Sequence, residues 1–96
     1  MGLAFEWVNK KAKRNLKKHG VSFEEAQSVF CNENAKQIPD PEHSEHEDRF
    51  VMLGMSQKLR ILVVVHAYRE SENVIRLISA RKATKHEEQH YSGAMR

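Results

Sequence analysis

The chain reads as an α+β domain: two N-terminal helices packed on a small antiparallel sheet of about four strands, closed by a C-terminal helix. Three observations predict this. Apolar residues alternate with period two at 48–56, 60–69 and 74–82. Those runs are β-branched and joined by short links, which is the pattern of an antiparallel meander. Helical spacing, in contrast, is confined to residues 9–30 and to the last stretch at about 83–91.

Each element has a local reason. Leu3, Phe5 and Trp7 alternate and make a short first strand. Asn9 is the expected cap of the first helix, in which Ala12, Leu16 and His19 fall at helical spacing and Gly20 is the stop. The other faces of this helix are nearly all Lys and Arg. In the second helix, 21–30, Ser22 followed by Glu25 forms a capping box, with Val21 and Ala26 as a staple. Phe23, Ala26, Val29 and Phe30 make its apolar stripe. Residues 31–48 are polar, carry both prolines, and read as a long loop with a short edge strand near Lys36–Ile38. A tight QKL turn joins the first two strands of the meander, and ESEN leads into the third. Thr84 and Glu87 form a second capping box at the start of the last helix. The order β-α-α-loop-β-β-β-α contains no internal repeat and suits one domain over residues 1–96.

Composition narrows the function classes. Hydrophobic residues make up 40% of the 96, too many for a disordered tail. No run of eighteen apolar residues spans a membrane. The N-terminus lacks the order of a signal peptide, and Glu6 stands where a myristoylation signal needs Ser or Thr. The single cysteine, Cys31, cannot form an internal disulfide, so packing or a turn is its expected role. These features together predict a cytoplasmic protein. Lys and Arg number 16 against 13 acidic residues. Bases crowd at 10–19 and acids at 40–48, which predicts a basic face and an acidic loop.

Strand alternation suggests where chemistry could lie. Ile61, Val63, Val65 and Ala67 form a purely apolar set expected under the helices. Arg60, Leu62, Val64, His66 and Tyr68 form a mixed set expected on a partly wet face. Arg76, in mid-strand, requires an open or partnered face, because an unpaired buried guanidinium is very costly. The open face is thus expected to gather Arg60, His66, Arg76 and the adjacent Arg81 and Lys82. Guanidiniums beside an imidazole suit phosphodiester chemistry, since Arg binds phosphate in a bidentate way and His transfers protons. The alternative is that these are solvated sheet-face charges and ion pairs. Six histidines raise the question of a metal. His43 and His46 lie in the acidic loop, and His86 and His90 share a helix face within HEEQH. Two such residues lack a third ligand, so surface histidines are the better account and neither metal nor cofactor is expected. Trp7 is expected in the core rather than as a base-stacking platform.

Taken together, FEWVNKKAKRNLKKHGVSFEEAQSVF, HSEHEDRF, GMSQKLRILVVVHAYR and VIRLISARKATKHEEQHY resemble the BrnT family, toxins of type II toxin–antitoxin systems. The resemblance spans about residues 4–91. It implies a RelE-like fold and a metal-independent endoribonuclease that inhibits translation. It also implies a BrnA-like ribbon-helix-helix antitoxin that binds operator DNA, in a heterotetramer of two toxins and two antitoxins. Carried onto this chain, the catalytic candidates are Arg60, His66, Arg76, Arg81 and Tyr91. The RNA-binding candidates are Lys18, His19, Arg69 and Lys82. Two departures stand out: Leu59 replaces a common Gly before Arg60, and CNEN replaces a more usual Asp-Pro after the second helix. The competing reading is a non-catalytic module that binds RNA or antitoxin within a repressor complex.

Overall fold

The computed structural model describes residues 4–40, 47–69 and 73–94. Strand β1 (Ala4–Glu6) leads into α1 (Asn9–His19) and α2 (Phe23–Ser28), the latter running on into a 3-10 turn over Val29–Cys31. Then come β2 (Lys36–Pro39), β3 (Arg49–Met55), β4 (Ile61–Tyr68), β5 (Val74–Lys82) and α3 (Lys85–Ala94). The strands form one sheet in the order β1-β5-β4-β3-β2. Strands β3 to β5 form the predicted antiparallel meander, and β2, the edge strand expected near Lys36–Ile38, pairs antiparallel with β3. The sheet has five strands rather than about four, and it is mixed, because β1 joins β5 in parallel. A parallel pair needs a long connection, and here everything from α1 to β4 lies between the two strands.

The helix ends follow local chemistry. Helix α1 starts one residue earlier than the Asn9 cap predicted: Val8 holds the cap position and offers no side-chain bond. At the other end Gly20 takes φ 71°, and its N–H donates to the Leu16 carbonyl at 2.8 Å. Ser22 caps α2, its Oγ accepting the Glu25 N–H at 3.0 Å. Only half of that box forms, because the Glu25 carboxylate turns instead toward Arg60 and Ser56. The box of α3 is complete: Thr84 N–H donates to Glu87 Oε1 at 2.8 Å, and Glu87 N–H donates to Thr84 Oγ1 at 3.2 Å.

The core lies between the α1–α2 layer and one face of the sheet. Val21, Phe23, Ala26 and Val29 pack there against Leu62, Val64, Ile75, Leu77 and Ala80. Residues directly opposed on antiparallel strands share a face. The registers therefore place Leu62, Val64, His66 and Tyr68 beneath the helices, and Ile61, Val63, Val65 and Ala67 on the far face. This inverts the assignment read from the sequence. The inversion is physically affordable because the polar atoms of His66 and Tyr68 both find the Gln37 amide, at 2.9 and 2.7 Å. On the far face, Arg49 and Arg76 sit in register on either side of Ala67, which is fully buried between them.

Two close fits complete the frame. A Cβ on Gly54 would lie 2.8 Å from Ala35 Cβ and 2.9 Å from Val29 Cγ1, so only glycine lets the 3-10 turn approach β3. Strand β1 covers β5 only as far as Arg76. Beyond it, Asn15 of α1 meets the free edge: its Nδ2 donates to the Ala80 carbonyl at 2.8 Å and its Oδ1 accepts the Ala80 N–H at 3.0 Å. No helix among the described residues is long and apolar enough to cross a membrane.

Candidate functional site

The far face of the sheet carries the arginines. Arg49 on β3 and Arg76 on β5 flank Ala67, Ser79 lies opposite Val65, and Arg81 lies opposite Val63. Glu47 pairs with Arg76, and its carboxylate is 4.0 Å from Arg49 Nε. One oxyanion thus already lies between two guanidiniums, an arrangement that a phosphate group could also satisfy.

Helix α1 supplies the rest. Lys11, Arg14 and Lys18 recur at i, i+3 and i+7 and so share one side of the helix. The Asn15 anchor at Ala80 holds that side over the free edge of β5. A groove of about 310 Å³ results, lined by Lys11, Arg14, Lys18 and His19 of α1 with Arg49, Ile78 and Ser79 of the sheet. A β-bulge shapes its floor. Val65 pairs with Ser79 but His66 pairs with Leu77, which leaves Ile78 as an extra residue on β5. Cations from a helix and a sheet converging on one trough form a built-in path for a polyanion.

Arg81 lies nearer α3. Its Nη1 and Nη2 each donate to Glu87 at 2.8 Å, a fork-to-fork pair. The hydrogen-bonded guanidinium holds the Glu87 carboxyl down to about 2, and the carboxylate in turn raises the Arg81 pKa. Lys82, at the strand end, is exposed.

The other predicted residues are placed elsewhere. Arg60 lies at the helix side, where Nε donates to Glu25 at 2.9 Å and Nη2 donates to Glu25 and to the Gly20 carbonyl. Glu25 is 1% exposed, so Arg60 neutralises a buried charge. Arg60 holds the Glu25 pKa below the usual carboxylate range, and the Ser56 hydroxyl, donating at 2.6 Å, reinforces it. His66 has no exposed surface. It packs edge-on against Phe30 at 4.8 Å and lies in the interior, not on the arginine face. Burial lowers its pKa. Tyr91 is also buried, and its hydroxyl donates to Asn32 Oδ1 at 2.9 Å, tying α3 to the end of β3. Arg69 pairs with Glu6 at 3.5 Å beyond the end of β4. Of the nine predicted site residues, the groove thus gathers Lys18 and His19, with Arg76 and Arg81 on the adjoining face.

Three residues of the site escaped sequence reasoning: Arg49, Lys11 and Arg14. The i, i+3, i+7 spacing of the α1 bases was a readable signal; Arg49 was masked by the acidic run before it. His86 and His90 face each other with Nε2 atoms 3.3 Å apart, and no group of three or more metal-ligating side chains occurs among the described residues. His43 and His46 lie outside the described residues. Trp7 packs edge-on against Phe23 at 5.8 Å, on the core side as expected.

Comparison with known proteins agrees with this architecture. Residues 7–87 match the family described as ribonuclease toxin, BrnT, of type II toxin–antitoxin system. No curated protein matches the chain. Among solved structures, the chain is similar to the Brucella abortus ribonuclease toxin BrnT. The TM-score is 0.67 at 26% identity, over 86% of this chain and 99% of that one. A match over most of the chain, joined to the same fold, settles the family: the chain belongs to the BrnT ribonuclease toxins of type II toxin–antitoxin systems.

Proposed function

We propose that this chain is an endoribonuclease that cleaves RNA lying in the groove between α1 and the arginine face of the sheet. The observation that carries the reading is the convergence of Lys11, Arg14, Lys18 and His19 with Arg49 in one trough. Lys11, Arg14 and Lys18 track the backbone of a single strand. Arg49 and Arg76 take the scissile phosphate in place of Glu47, stabilising the charge that grows as the 2′-oxygen attacks phosphorus. RNA brings its own nucleophile, so the step requires no metal to generate one. His19, in the groove, is the group placed to move a proton between the 2′-hydroxyl, the phosphate and the leaving 5′-oxygen. Arg81 adds charge from the same face. Arg60, His66 and Tyr91 serve the fold.

In this reading the protein is a RelE-like toxin that arrests translation. A BrnA-like ribbon-helix-helix antitoxin neutralises it, in a heterotetramer. The test is incubation of the purified chain with a labelled RNA, with and without EDTA. Cleavage that persists in chelator and is lost in Arg49→Ala is expected; RNA binding without cleavage by the parent protein refutes the enzymatic reading. One observation favours that second reading. Glu47 and Glu87 already occupy the arginines of the face, so the groove could bind RNA without freeing a guanidinium for chemistry.

A further inference from the structure

A second concavity lies on the same face of the sheet, toward its other edge. Its floor is apolar and comes from three adjacent strands: Ile38 of β2, Val51 and Leu53 of β3, and Val63 of β4. Lys36 and the α3 residues Glu87 and His90 form its rim, and the volume is about 270 Å³. Strand β2 is the terminal strand of the sheet and all four of its residues are exposed. Ile38 stands 58% exposed, although its neighbours in register are hydrophobic. An apolar trough of this kind beside an unpaired strand edge is costly to leave in water.

We infer that this trough is the docking site of the antitoxin, which inserts one or two branched apolar side chains with a carboxylate beside them. The inference rests on the toxin reading above and assigns its partner a surface. Charge selects the occupant. Among the described residues Lys36 Nζ donates to the His90 carbonyl alone, at 3.3 Å, which leaves donors for an incoming carboxylate. Glu87 is already neutralised by Arg81 and does not repel one. A nucleic acid has no side chain that fills an aliphatic trough, so a polypeptide is the better fit. The free edge of β2 can also accept the backbone of that segment as an added strand, until Pro39 withdraws its donor. A partner seated here covers Arg81 and hangs over the arginine face. Neutralisation then follows from occupancy of the face, without distortion of the toxin.

The experiment uses the full chain co-expressed with its cognate antitoxin. Ile38→Asp and Leu53→Asp are compared with Leu16→Asp, an apolar position on α1 about as exposed as Ile38. The two trough variants should weaken the purified complex by ~30-fold or more, the scale of losing an interface anchor, and Leu16→Asp should not. Ile38 is exposed, so Ile38→Asp should keep the parental melting temperature and separates binding from folding. Free Ile38→Asp should still cleave RNA while escaping neutralisation. If no variant or parent cleaves RNA, the enzymatic reading fails, and the binding measurement still decides the docking surface. Unchanged affinity in Ile38→Asp overturns the inference. So does a homodimer of the isolated chain that Ile38→Asp dissolves, since the trough would then belong to a second copy.

Discussion

Replacing Arg60 by Ala should cost stability rather than catalysis. Glu25 keeps its charge at 1% exposure because Arg60 supplies hydrogen bonds to both carboxylate oxygens. Removing one partner of a buried ion pair typically costs about 3–5 kcal/mol, because the other charge is left uncompensated. The Arg60 side chain is 31% exposed, so water can partly replace it and the lower end, about 3 kcal/mol, applies. At about 4–8 °C per kcal/mol for a domain of this size, the melting temperature should fall by about 12–24 °C. The pH dependence is diagnostic. Arg60 depresses the folded-state pKa of Glu25 below its ordinary value of 4.5. The stabilisation is therefore fully present above that value and is lost as pH falls through the lower, folded one. In Arg60→Ala the buried carboxyl is instead driven toward the neutral form, so the gap to the parent should narrow in acid. Urea denaturation at pH 7 and pH 4 measures both effects. A variant as stable as the parent at pH 7, or a gap that widens on acidification, refutes the reasoning. So does a folded variant that loses RNA cleavage by about a hundredfold, the signature of a charge-stabilising residue.

Other outcomes follow from the same structure. Arg49→Ala and Arg76→Ala should each slow single-turnover RNA cleavage by about 10²–10³-fold, with thermal melting to confirm folding. Glu87→Gln should free the Arg81 fork and tighten RNA binding by fluorescence anisotropy; weaker binding would place Arg81 outside the RNA path. Because the Glu87 pKa is about 2, its pair with Arg81 should persist through the acid range in which ordinary carboxylates protonate. His66 favours its neutral form when folded, so stability should decline as pH drops below its unfolded value near 6.5, and His66→Gln should flatten that decline in urea titrations. Leu59→Gly should be neutral or slightly stabilising by calorimetry, since Leu59 holds a left-handed φ of 61°.

The elements were legible because their signals are local. Ser22 and Thr84 both cap the helices that they introduce, Gly20 ends α1, and the alternation at 49–82 became the antiparallel strands. Faces were not legible, because β4 is apolar on both sides: Leu62 and Val64 look no more buried than Val63 and Val65. The deciding contacts come from far away in sequence, through Gln37 for His66 and through Glu25 for Arg60. The parallel seat of β1 is equally non-local. Arg81 was correctly expected at the corner of strand and helix, but the Thr84–Glu87 box gave no hint that the same carboxylate also grips Arg81. Groove residues such as Lys11 and Arg14 looked like an ordinary solvated helix face until Asn15 fixed which way that face points.

Asn15 has a wider consequence. Its amide turns one N–H and its oxygen to Ala80, as a peptide unit of a sixth strand would, while the other N–H donates to the Val21 carbonyl at 2.9 Å. A foreign strand that sought the same rung of β5 would first have to unseat α1. The helix carries Lys11, Arg14 and Lys18 with it, so edge-to-edge self-association and dismantling of the proposed RNA path become one event. Asn15→Ala should therefore produce filaments or aggregates and lose RNA affinity together, with neither defect appearing alone. The residue that guards this sheet edge is the same one that holds the proposed RNA groove in place.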